Sequence, residues 1–202
     1  MRVINTLGVS SNNIKNCVSD DVMRPVMTGV YFDLENKCMV CTDSHILMIF
    51  PIEIRWNKEE LLLTEAEKIE ILQKNSKIVP IEFFDKKKYM EDYKKYWGEI
   101  SYDFSGSEYA EVLHGEERVF RCRYIDGVFP NYKAVFPQGQ PTPIEKIGIH
   151  FKILEKISKC LPINSDQKRF FFNFYGKNKP ICFENKNYEV KGMLMPVIGG
   201  VW

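Results

Sequence analysis

The sequence predicts an α+β protein made of about three β-α-β-β-β units, with antiparallel sheet layers backed by helices. Two observations carry that prediction. The same order of strand-like and helix-like runs recurs three times along 202 residues. Within each recurrence the helix-like run is followed by strand-like runs, separated in the first two by a turn or by short, partly Gly-containing breaks. A third observation, 45% apolar residues with 13% aromatics, shows that the chain can bury a core and is not disordered.

The elements follow in order. Residues 2–9 alternate loosely and open the first unit as a strand. SSNNIKNCVSDDVM sets Ile14, Cys17, Val18 and Val22 at helical spacing, with Ser11 or Asn12 as the N-cap. TGVYFDLENKCMVCTDSHILMIFPIEI then reads as strand, Asn-Lys turn, strand, short break and strand. Residues 57–75, NKEELLLTEAEKIEILQKN, are charged with helical periodicity, and form either an amphipathic excursion or a flexible connection. KIVPI opens the second unit as a strand. EFFDKKKYMEDYKKYW is its helix, with Phe83 or Phe84, Tyr89, Tyr93 and Trp97 on one side. EISYDFSG, EYAEVLHG and ERVFRCRYI are its three further strands. QGQPTP, residues 138–143, reads as a linker and places a domain boundary between 1–137 and 144–202. The third unit follows with strand EKIGI, helix HFKILEKISKCL, and strands in KRFFFNFYG, KPICFEN and YEVKGMLMPV.

Composition narrows the function. With 28 basic and 27 acidic residues the net charge is +1, so any case for nucleic acid rests on how charge is distributed. No apolar run reaches membrane-spanning length, and MRVINTLGVSSNN lacks a signal-peptide core; a soluble, cytoplasmic protein without membrane contact is expected. The six cysteines mostly sit among apolar neighbours and read as reduced, buried hydrophobes. CMVC at 38–41 has no second pair, and on a strand its two sulfurs point to opposite faces. Asp43, His45 and Asp126 would have to converge to form a metal-dependent nuclease site. Yet His45, His114 and His150 are scattered, and no paired-ligand motif, phosphate loop or nucleophile elbow occurs. No catalytic residue, metal or cofactor is expected.

Basic residues fall on the helical segments. Lys152, Lys156 and Lys159 occupy i, i+4 and i+7, opposite Phe151, Leu154, Ile157 and Leu161. The second helix carries Lys86, Lys87, Lys88, Lys94 and Lys95 among Asp85, Glu91 and Asp92; the first offers Lys15 and Arg24 beside Asp20 and Asp21. These are either solvated helix faces or a layer of cations for phosphates, with Lys15, Arg24, Lys87, Lys94, Lys152, Lys156 and Lys159 as the DNA-contact candidates.

Three motifs carry a family resemblance. MRPVMTGVYFDLENKCMVCTDSHILMIF, 23–50, resembles a segment of bacterial sliding clamps, the beta subunit of DNA polymerase III, through Arg24, Pro25, Val26, Gly29, Val30, Thr42, Asp43 and Leu47. RYIDGVFPNYKAVFP, 123–137, is similar to the family's strand-ending loop through Arg123, Ile125, Asp126, Gly127, Phe129, Pro130, Tyr132 and Pro137. MLMPVI resembles the family's closing strand through Met195 and Pro196. The departures are Ser44 for a glycine, Ile46 for an arginine, and MPVIGGVW at the end.

The resemblance implies a DNA-clamp-like fold with sheets outside and helices on the other face, residues 1–137 matching a clamp middle domain and 144–202 the last half of its C-terminal domain. It also implies a non-enzymatic processivity or tethering factor in DNA replication. Its partners would be duplex DNA, bound without reading sequence, and short linear peptide motifs of polymerase or other replication proteins. Carried over by position, the peptide-binding wall comprises Thr42, Ser44, His45, Ile46, Leu47, Pro137, Met195, Pro196 and Val197; equally, these residues are a packing seam between units. A ring of three-unit chains would need a homo-oligomer, four chains matching the unit count of a bacterial ring. The alternative is a clamp-fold adaptor or decoy that takes partner peptides without encircling DNA.

Overall fold

The computed structural model describes residues 1–85, 100–162, 167 and 169–197. The strands are β1 (Arg2–Ile4), β2 (Gly29–Asp33), β3 (Cys38–Thr42), β4 (Ile46–Pro51), β5 (Glu53–Arg55), β6 (Lys77–Pro80), β7 (Ile100–Asp103), β8 (Tyr109–His114), β9 (Glu117–Arg123), β10 (Phe171–Asn173), β11 (Ile181–Asn185) and β12 (Val190–Leu194). The α-helices are α1 (Ser11–Ile14), α2 (Glu65–Asn75) and α3 (Phe151–Cys160). The fold is α+β, as the periodicity predicts.

Two sheets form, and every neighbouring pair in them is antiparallel: β5-β1-β7-β8-β9, and β10-β11-β12-β4-β3-β2-β6. The first two units exchange their opening strands. β1 pairs with β7 of the second unit (Val3 opposite Tyr102), and β6 pairs with β2 of the first (Val30 opposite Val79). The third unit joins through its last strand, β12, which lies against β4 with Met193 opposite Leu47. The seven-stranded sheet therefore runs unbroken from residues before 138–143 to residues after it. Between the sheets lies an aromatic core in which Phe32 packs on Phe104 at 4.6 Å and Phe83 on Tyr102 at 4.9 Å between ring centroids.

Several elements differ from the sequence reading. The first helix ends at Ile14 and is capped one residue earlier than expected, by Ser10, whose N–H and hydroxyl both donate to Asn13 Oδ1. Its extension to Val22 fails because the Asn16 side-chain amide takes the carbonyls of Asn12 and Asn13, acceptors the next helical turn would need. Residues 57–75 resolve into a helix, α2, started by a reciprocal Thr64–Glu67 capping box, with only Leu72 of its residues buried. In the second unit β6 runs into a 3-10 turn, Ile81–Phe84, that buries Phe83 and Phe84; Tyr89, Tyr93, Trp97, Lys87 and Lys94 of the expected helix lie outside the described residues. EKIGI, expected as a strand, is irregular. Among the described residues one backbone bond, Val197 N–H to Gly148 O at 2.9 Å, reaches it, too little for a ladder. No helix among the described residues is long and apolar enough to cross a membrane.

Candidate functional site

The joint between β4 and β12 creates a groove of about 440 Å³, walled almost entirely by apolar groups. Its construction starts at the β3–β4 turn. Asp43 is buried and its Oδ1 accepts from the backbone N–H of both His45 and Ile46, at 2.9 Å each. Thr42 Oγ1 donates to Ile46 O at 2.7 Å, and Ser44 takes a left-handed conformation, φ 77°, where the family's pattern has glycine. The turn so fixed projects Ser44 and His45 at the rim and leaves Leu47 inside. Met195 N–H donates to His45 O at 3.0 Å, tying the end of β12 to the same turn.

The opposite wall is the aromatic loop. Phe129 stacks on Tyr31 with ring centroids 5.2 Å apart. Gly127, at φ 128°, is packed where a Cβ would meet Val26 Cγ1 at 2.5 Å, so the Asp-Gly turn needs its glycine. Tyr132 is buried and donates its hydroxyl proton to Asp33 Oδ2 at 2.8 Å, with Cys38 Sγ 3.6 Å from the Tyr132 hydroxyl oxygen. Burial, then Cys38 and Asp33, push the Tyr132 hydroxyl far above its ordinary range. Burial also raises Cys38 to about 11. For Asp33, burial works upward, but hydrogen bonds from Asn36 and Tyr132 and the Lys133 charge outweigh it and hold the carboxyl below its usual value. The loop is thus anchored from beneath by a hydroxyl–carboxylate bond and above by ring stacking.

Of the residues expected at a peptide wall, Thr42, Ser44, His45, Ile46, Leu47 and Met195 line this groove together. Pro137, Pro196 and Val197 are not among its lining; Val197 turns aside to bond Gly148. The lining also includes Met27, Phe129, Pro130, Asn131, Tyr132, Val135, Pro180, Met193 and Leu194, which sequence reasoning did not place there. The signal for Met193 and Leu194 was their place in the same strand as Met195. For Phe129 and Tyr132 it was the stiff Phe-Pro loop itself, whose aromatic residues do two jobs at once.

The basic candidates are placed as follows. α1 and α3 are neighbours, joined by Asn13 Nδ2 donating to Lys159 O at 3.0 Å, so Lys15, Lys152, Lys156 and Lys159 lie on adjacent helices. Lys15 Nζ donates to Asn12 Oδ1, and Lys159 pairs with Glu155 at 2.7 Å. Arg24 pairs with Asp21 at 2.8 Å and donates to Ser44 Oγ at 2.6 Å. Lys156 reaches the buried Asp43 Oδ2 at 2.6 Å, and that hydrogen bond raises its ammonium pKa. Two of the DNA-contact candidates therefore brace the groove's own turn. The cysteines of CMVC diverge as strand geometry requires, Cys41 into the main core and Cys38 to the other face. Among the described residues no group of three or more His, Cys, Asp or Glu side chains could hold a metal ion.

Compared by sequence, the chain matches no family model and no curated protein. Compared by structure, it is similar to DNA polymerase III beta sliding clamps. The DnaN clamp of Bartonella birtlesii bound to griselimycin aligns with TM-score 0.64 at 15% identity, over 96% of this chain and 64% of that one. The Helicobacter pylori beta clamp bound to a DNA ligase peptide gives 0.63 at 15%, over 98% and 65%. The beta subunit from Thermotoga maritima gives 0.66 at 12%, over 98% and 65%. The fold is clamp-like, and the chain spans just under two thirds of the length of these structures.

Proposed function

We propose that this chain is a non-enzymatic, cytoplasmic, clamp-like tethering protein. In this reading it holds short linear peptide motifs of polymerase or other replication proteins in the groove between β4 and β12, in association with duplex DNA. The observation that carries the reading is the groove: about 440 Å³, apolar inside, with Thr42, Ser44, His45 and Asn131 supplying polar groups. Such a cleft suits one or two apolar side chains of an extended peptide, whose backbone would meet the polar groups. It is supported by a clamp neighbour, that of Helicobacter pylori, being bound to a DNA ligase peptide. Residues 1–137 would act as the two-unit block and 144–202 as the half-domain that closes the groove, with 138–143 connecting them.

Lys15, Arg24, Lys152, Lys156 and Lys159, with Lys87 and Lys94, would contact phosphates without reading sequence. A second reading, an adaptor or decoy that binds peptides and does not encircle DNA, is favoured by a specific observation. Arg24, Lys156 and Lys159 are already engaged by carboxylates, and the net charge is only +1.

Titrating the protein into a fluorescein-labelled clamp-binding peptide tests the groove by anisotropy. Saturable binding is expected, weakened roughly tenfold or more by Leu47→Asp or Met195→Asp in variants whose circular dichroism is unchanged. No saturable binding by the natural protein would remove the proposal. The same measurement with a labelled DNA duplex at two salt concentrations separates the readings. Affinity that falls steeply with salt supports the DNA-associated one, and no affinity at low salt supports the adaptor.

A further inference from the structure

The three units repeat one detail of hydrogen bonding. In each, the chain leaving the last strand bends back and bonds the unit's own opening segment. β5 pairs with β1, Ile125 N–H donates to Ile78 O at 2.9 Å, and Val197 N–H donates to Gly148 O at 2.9 Å. In the first two units the opening strand has a second neighbour, the first meander strand of the other unit: β1 lies against β7 and β6 against β2. That exchange is reciprocal and is what seals the pair.

The third unit has the same two half-sites, and neither is filled among the described residues. No strand lies on the outer side of β10, the counterpart of β2 and β7. A single backbone bond, Thr142 N–H to Phe174 O at 2.7 Å, touches the strand's continuation. Residues 147–149, the counterpart of β1 and β6, have their one bond on the Val197 side. Among the described residues no backbone bond is made by Ile147 or Ile149.

Burial follows the same division. Phe32 and Phe104, on or just after β2 and β7, are each 0% exposed, whereas Phe170, Phe172 and Phe174, which pack on the same core from β10 and its flanks, are only partly buried; Phe171, on the sheet's other face, is 57% exposed. Val3 and Val79 are fully buried in the opening strands; Ile147 and Ile149 are not. With Gly148 in the place of Ile78, Ile153 and Leu154 stand where Phe83 and Phe84 stand. The phenylalanines are buried, and Ile153 and Leu154 are half-buried. A sheet edge this aromatic and this open is a template for another strand.

We propose that a second copy of this chain fills both half-sites, the 147–149 segments of two third units pairing reciprocally with each other's β10 in a two-fold dimer. The occupant is specified by the fold itself. The open edge lacks a segment of the kind that the same unit leaves unpaired, so two identical units satisfy each other, as a self-complementary two-fold interface requires. The two inner units already display the arrangement in one chain. The dimer uses neither the groove nor β4, so it stands or falls separately from the peptide reading.

Sedimentation equilibrium of the full chain, from low micromolar to near-millimolar concentration, tests this together with hydrogen exchange. A species of twice the 23.7 kDa chain mass is expected. Amides of 147–149 and 171–173 should gain protection as concentration rises. Phe171→Lys, at an exposed position of the edge, should raise the dimer dissociation constant roughly tenfold or more, and Ile149→Pro should do likewise by removing one exchanging amide. Arg123→Glu on β9, an edge of the other sheet, should leave it unchanged. A monomer at every concentration, a dimer indifferent to Phe171→Lys and Ile149→Pro, or protection mapping to β5 or β9 would each overturn the proposal.

Discussion

Phe32 and Leu47 sit in the same sheet and are both buried, yet they belong to different surroundings. Along β2, β3 and β4 the side chains alternate between two apolar clusters. Val30, Phe32, Met39, Cys41, Ile46, Met48 and Phe50 face the closed core between the sheets and helices. Tyr31, Cys38, Val40, Leu47 and Ile49 face the other side, where Phe129 and Tyr132 cover them and Met193 on β12 continues the same face. The closed face is sealed by two layers of secondary structure. The second is covered by one loop, and where that cover stops, beside β12, the groove begins. The lesson is that a sheet buried on both faces can devote one face to stability and leave the other partly open for a ligand, without any change in the hydrophobic character of its strands.

Truncation on the two faces tests that division most sharply. Phe32→Ala removes a ring in contact with Phe83, Phe84, Tyr102 and Phe104, and should cost about 3–5 kcal/mol of unfolding free energy in urea. Met193→Ala, at the groove's edge, should cost about 2 kcal/mol, because the cavity it leaves opens to water. Equal costs would mean that the second face is core of the same kind.

A smaller effect is expected from Tyr132→Phe, which deletes the hydroxyl bonded to Asp33 and leaves a buried carboxylate short of one donor. The loss should be about 1–2 kcal/mol near neutral pH. Asp33 titrates below its usual value in the folded protein. Its contribution is therefore present above the unfolded-state pKa and disappears as pH falls through the folded one. Unfolding curves of the two proteins should accordingly converge in acid.

The smallest effect belongs to Lys156→Met. The lysine is half-exposed, and the Asp43 carboxylate keeps its two backbone donors, so the change should stay under about 1 kcal/mol. Because the Lys156 pKa is raised, its contribution is complete below the ordinary lysine range and is lost as pH climbs through the raised value. The difference between the two proteins should fade in alkali, the reverse of the Tyr132 case.

Much of this molecule was legible in the residues. The strand, turn, strand, break, strand reading of 28–54 is met by β2, β3 and β4, since period-two alternation and turn residues act over a few positions, while the end of the last run separates as β5 and joins the other sheet. The family resemblance grouped Thr42–Leu47 with Met195, and the structure has Thr42, Ser44, His45, Ile46, Leu47 and Met195 lining one groove. Less legible was the length of α1, where Asn16 competes for carbonyls through a side-chain bond that no periodicity reveals. The groove's second wall was missed because Phe129 and Tyr132 read as anchors. Their partners, Tyr31 and Asp33, lie about a hundred residues away in the sequence.

The sequence by itself determined the α+β class and the three runs of strands that follow one another in each unit, because these depend on local spacing and on which side chains water excludes. Only the tertiary structure decided which strands become neighbours. It was the pairing of β12 with β4 that made a groove from two distant segments, and the exchange of β1 and β6 that joined two units and left β10 of the third at a sheet edge among the described residues. The physical reason is that backbone hydrogen bonds are the same for every residue. A strand's partner is chosen by loop reach and by the packing of whole layers, and neither is written in any short stretch of chain.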